Sequence, residues 1–274
     1  MRVLQQIASI ACAALIAGSA WAQTEEQLGL SREMLLLNGF DTMTQDMARD
    51  LRSPSEDTER GDPAMARAWA RIGPNFFDPD EMFDAAAQRL AEAATVEELE
   101  QLKTFFATEL GQKVTALEEA SQAPEMADVD TIAAGMRLLE LQDDPERLAA
   151  LERLSAAFGS DEAAAAVSLN VQFAFVSALA SRNPNALPEA DLLALIMGGH
   201  DELVAEIRAE AVPRHAFVYQ DLTIEEIEAY AELLETPAGQ KMYAAVNSAL
   251  EGEMVAEIRA FGTLLGAALM AEDI

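Results

Sequence analysis

The chain has 274 residues and carries 18 basic against 48 acidic side chains, a formal net charge of −30. So acidic a surface repels nucleic acid and anionic lipid headgroups, and no basic cluster stands out to offset it. One cysteine and two histidines supply neither a disulfide framework nor the ligand spacing of a transition-metal site.

Residues 1–22 read as a signal peptide. Arg2 supplies a minimal positive start, an Ala-rich apolar stretch runs from Ile7 to Ala17, and Ala20-Trp21-Ala22 offers a small-x-small cleavage site before Gln23. The stretch falls below the ~20 residues of a spanning helix. The expectation is export to the periplasm, with no transmembrane segment after cleavage. Cys12 lies inside this segment and is flanked wrongly for lipid attachment.

From Thr24 to Leu51 apolar residues recur at helical spacing, with a break near Asn38-Gly39. Residues 53–63 hold two prolines and a glycine among charges and read as a loop. Helices follow over 64–72, from Asp78-Pro79 to Ala93, and over the two arms of a corner between Thr95 and Pro124. Val129–Leu141 is amphipathic, and Asp143-Asp144-Pro145 separates two halves, 23–143 and 144–274. The second half reads as helices over 148–158, from Ser160-Asp161 through Leu179, over 191–197 and from His200 to Tyr219. Pro213 is an expected kink in the last of these. The helix through Phe173 and Phe175 is apolar on more than one face and is expected to centre the second core. No run of β-branched residues bounded by turn signals appears, so no sheet is expected.

One phrase occurs twice. Residues 95–113 and 223–241, offset by 128, share eight of nineteen positions, and most of the others exchange like for like. Thr95 precedes Glu98, and Thr223 precedes Glu226, at capping-box spacing. The apolar positions 96, 99, 102, 105 and 106, matched by 224, 227, 230, 233 and 234, form one helical face. Thr236 then restarts a helix with Pro237 at its first position. Gly111 and Gly239 would admit a neighbouring helix, while Lys113 and Lys241 would lay their stems over apolar surface. Each copy reads as helix, tight corner, helix, with Gln112 and Gln240 between the Gly and the Lys.

Leu233-Leu234-Glu235-Thr236-Pro237-Ala238-Gly239-Gln240-Lys241 resembles the hallmark of the bacterial domain of unknown function 2059 family, with Leu where the family usually shows an aromatic. Phe105 to Lys113 keeps the aromatics and Gly-Gln-Lys but has Glu109 in place of Pro. The resemblance implies two tandem copies of an exported all-helical domain, and it brings no catalytic residues.

The chemistry is weighed accordingly. His200, beside Asp201 and Glu202, reads as a helix-start residue rather than a ligand. Glu97-Glu98 and Glu225-Glu226 are explained by capping, and nothing marks a glycosidase-like acid pair. Gly-Gln-Lys lacks the second glycine and the Ser or Thr of a phosphate loop. No Gly-x-Ser-x-Gly elbow is present. Methionine-rich helices suit either core filling or an adaptable apolar groove.

The expected fold is all-α, two related helical-bundle halves from an internal duplication with a C-terminal helix extension on the second. No catalytic, cofactor-binding or metal residues are expected. The leading function is a non-enzymatic interaction or scaffold module with an envelope or periplasmic protein as partner. The alternative is a carrier holding a lipid-like or hydrophobic small molecule between the halves.

Overall fold

Gly39 takes φ +74°, a left-handed backbone that costs a residue without Cβ little, and this ends the first helix and starts the second. The computed structural model describes residues 25–127, 129–181, 183 and 185–272, and the expected signal peptide lies outside them. Helix α1 covers 25–37 and α2 covers Phe40–Arg52. Then come α3 (Glu56–Gly61), α4 (Pro63–Ile72), α5 (Pro79–Ala93), α6 (Val96–Phe106), α7 (Glu109–Gln122) and α8 (Thr131–Gln142). The later part of the chain forms α9 (Pro145–Ala157), α10 (Asp161–Ala180), α11 (Glu189–Met197), α12 (His200–Val218), α13 (Ile224–Glu235) and α14 (Pro237–Glu272). No strand occurs among the described residues, so the all-α class holds.

Local chemistry sets most helix starts. Asp62, Asp78 and Asp144 each accept from an amide of the first turn just before a proline that begins α4, α5 or α9. The stretch read as a loop before α4 contains α3, because Ser55 caps it and Glu56 and Asp57 face the positive end of its dipole. Helix α3 buries nothing. Pro213 stands inside α12, which runs through it.

The main core takes Leu99, Leu102, Phe106 and Val114 from one half and Leu151, Leu154, Ile227, Tyr230 and Leu234 from the other. A second cluster gathers Phe77, Met82, Ala174, Phe261 and Leu265, with Trp69 and Phe175 packed on it. Helix α10 therefore does not centre a core of the second half, as its composition suggested. The reason is α14: its 36 residues, roughly 54 Å at 1.5 Å each, carry α10 across to α4 and α5. Helix α10 and residues 237–271 are long and apolar enough to cross a membrane, by length and composition only.

Candidate functional site

The two corners make matching sets of bonds. Thr95 Oγ1 accepts from Glu98 N while the Glu98 carboxylate accepts from Thr95 N, and Thr223 and Glu226 do the same. Thr108 and Thr236 accept from Gly111 N and Gly239 N, and each donates at 2.6 Å to a carbonyl at the end of the preceding helix, Phe105 or Leu233. Gln112 Nε2 donates to Phe106 O, and Gln240 Nε2 to Leu234 O, both at 2.7 Å. Pro237 occupies the first position of α14. The glycines let the end of the preceding helix come close, α6 at Gly111 and α13 at Gly239. A Cβ at Gly111 or Gly239 would lie 2.3 Å from Phe105 O or Leu233 O.

The lysines make a contact that their sequence neighbours do not point to. Lys113 Nζ lies 2.7 Å from Glu226 Oε2, and Lys241 Nζ lies 2.7 Å from Glu98 Oε1. Each corner thus ties its lysine to the capping glutamate of the other, because a carboxylate already holding a cap amide has lone pairs left for an ammonium. These lysines, foremost, with the cap amides, hold Glu98 and Glu226 below the usual carboxylate range. A further correspondence connects the outer helices. Gln27 on α1 donates to Ala94 O, and buried Arg147 on α9 donates to Leu222 O. Each acceptor immediately precedes a capping threonine.

The symmetry breaks at Glu118 on α7. Tyr219 and Tyr230 donate their hydroxyls to Glu118 Oε1 at 2.6 and 3.0 Å, and the Tyr243 hydroxyl lies 3.4 Å from that of Tyr230. These are all the tyrosines the chain has. Moving on by 128 residues, Glu118 corresponds to Val246, while Tyr230 and Tyr243 correspond back to Leu102 and Thr115. Burial pushes the Glu118 carboxyl up to about 7, against the two tyrosine bonds that favour its ionised form and with Glu119 adding to the rise. The tyrosines are driven upward too, chiefly by burial, so they stay protonated and serve as donors.

Glu118 lines a cavity of about 330 Å³ between α2, α7 and α14. One wall comes from the α1–α2 junction (Asn38, Phe40, Met43, Met47), one from α7 (Glu118, Glu119, Gln122), and one from α14 (Met242, Tyr243, Val246, Leu250). The volume is at the lower end of small-molecule sites, and the pattern of apolar walls with few convergent polar groups is theirs. At neutral pH a carboxyl of this kind can donate, accept or hold a proton.

None of the repeated motif residues lines this cavity. Among the described residues no group of three His, Asp or Glu converges as a metal site, and the His200 ring bonds Asp201 at the start of α12. His215 Nδ1 lies 2.6 Å from Ser155 Oγ, but burial, helped by Arg214, pulls its pKa down to about 4. That makes it a poor base for activating a hydroxyl.

Fold and cavity define an all-helical protein with a part-buried carboxyl on the wall of a cavity. Residues 80–137 match the family described as Uncharacterized protein conserved in bacteria (DUF2059). That span contains the first corner and Glu118, and the second corner lies outside it. No curated protein and no solved structure matches the chain.

Proposed function

We propose that the chain is an exported periplasmic carrier, not an enzyme, made of two copies of one helical domain that hold a small, largely apolar molecule between them. The observation that carries this reading is the cavity of about 330 Å³ walled by α2, α7 and α14, which takes residues from both halves. A scaffold module, the leading expectation from sequence, would draw on the exposed Leu193, Leu195 and Met197 of α11, which nothing covers among the described residues. The duplication is supported by the recurrence of the cap, glutamine and lysine bonds, although only the first copy lies in the matched span. Export rests on residues 1–22 and the domain limits on Asp143-Asp144-Pro145.

The test is native mass spectrometry of the protein recovered from the periplasm. Wild type should carry a small molecule that Val246→Trp, which fills the cavity, has lost. Recovery of wild type empty from every preparation, with a partner protein trapped by in-cell crosslinking, would return the reading to an interaction module.

A further inference from the structure

The cavity has a charge character that narrows its occupant. Its ionisable lining groups with a carboxylate are Asp46, Glu118 and Glu119, and no Lys, Arg or His lines it. Asp46 is paired with exposed Arg49. Both tyrosine hydroxyls fall on Glu118 Oε1, and no hydrogen bond among the described residues reaches Oε2. A donor from a ligand can therefore bond Oε2 without displacing either tyrosine. An anionic head would instead meet acceptors and carboxylates, with nothing of opposite sign to offset its desolvation.

A second hollow adjoins the cavity. It measures about 370 Å³, shares Met47, Asn247 and Leu250, and is lined further by Val167, Val171 and Met254, with Glu251 as its one carboxylate. The shared side chains include a flexible thioether, which can shift to open a passage. The two hollows together present a polar end and an apolar run.

We propose, resting on the carrier reading, that the ligand is an amphiphile with a cationic amine head, its ammonium donating to Glu118 Oε2 and its chain lying past Met47 and Leu250 toward Val171. Two tyrosines fix the carboxyl in place: with Oε1 held by Tyr219 and Tyr230, the second oxygen is set for the ligand. The carboxyl meets the ammonium as carboxylate, so any proton it carries passes to solvent on binding. The break in symmetry fits this assignment. The architectural bonds are present at both corners, whereas the carboxyl and its tyrosine donors occur once, as one binding site needs.

Isothermal titration at pH 7.5 and 0.15 M salt tests this with dodecylamine, dodecanol and dodecanoate as probes. Wild type should bind dodecylamine at least tenfold more tightly than the other two. Glu118→Gln, nearly isosteric, should weaken the amine tenfold or more and leave dodecanol within twofold. Val246→Trp, or Met43→Phe if that variant does not fold, should abolish the amine binding, which separates the cavity from adsorption on an acidic surface. Equal or tighter binding of dodecanoate, or an amine affinity unchanged in Glu118→Gln, overturns the amine head and leaves the carrier standing. Amine binding that survives both cavity-filling variants, or no binding of any probe, overturns the cavity as the site.

Discussion

Lys113 Nζ sits 2.7 Å from Glu226 Oε2, joining two helix starts 113 residues apart, and Lys241 repeats the contact with Glu98. Each carboxylate closes a capping box and accepts an ammonium, so one side chain both starts a helix and fastens the opposite corner. Both pairs are part-exposed, which keeps each contribution small. A double-mutant cycle of Lys113→Met and Glu226→Gln should give a coupling of about 0.5–1 kcal/mol, shrinking in 1 M salt. A coupling of zero at low salt would reduce the pair to a geometric coincidence.

The glycines of the corners make a sharper case. Gly239→Ala places a Cβ 2.3 Å from Leu233 O, a backbone atom fixed by its bond to Thr236. We expect a loss of about 2–4 kcal/mol by urea unfolding, and the same for Gly111→Ala. Gly252→Ala, in the same helix as Gly239 with nothing within 4 Å, should instead gain about 0.5–1 kcal/mol. The contrast within α14 separates steric need from helix propensity.

These corners were legible because their logic is local. A cap, its glutamate and the following Thr, Gly and Gln bond within a few residues of one another, so spacing alone gives the geometry. The lysine pairing was not legible: Lys113 meets Glu226 only once two halves pack, and nothing near Lys113 in the chain points there. Glu118 was hidden for a related reason. It is one of 48 acidic residues, and its donors lie 101 and 112 residues away. The signal that could have raised it is the break in the repeat, where Glu118 aligns with Val246 and two tyrosines align with Leu102 and Thr115. Gln27 and Arg147 escaped because they align at an offset of 120, not 128, and differ in type.

Arg147 deserves its own measurement because it replaces a neutral glutamine with a buried charge. Its guanidinium donates to Leu222 O at 2.7 Å and to Tyr219 O at 2.8 Å, in the turn between α12 and α13; Tyr219 O also accepts from Leu222 N. Arg147→Met keeps much of the volume and leaves Leu222 O without its donor. A loss of about 2–4 kcal/mol is expected, with Arg147→Lys recovering only part, since an ammonium cannot reach two carbonyls in the guanidinium's fork geometry. Thermal unfolding of the two variants beside wild type would show it.

Glu118 gives stability a pH dependence of definite sign. Its folded pKa of about 7 stands above the ordinary 4.5, so between those values the folded chain binds the extra proton. Stability from this group is complete below pH about 4.5 and is lost as pH rises through 7. The groups that face it are Glu119 beside it and Tyr219, Tyr230 and Tyr243 opposite, and the tyrosines remain protonated across this range. Removing the titration with Glu118→Gln should therefore leave stability little changed relative to wild type at pH 4.5 and make the variant the more stable at pH 8, by at most about 3 kcal/mol. Urea midpoints of both proteins at pH 4.5, 6, 7 and 8 provide the comparison. A difference that stays flat across the series would mean that folding leaves the Glu118 carboxyl at its ordinary value, its two tyrosine bonds offsetting its burial.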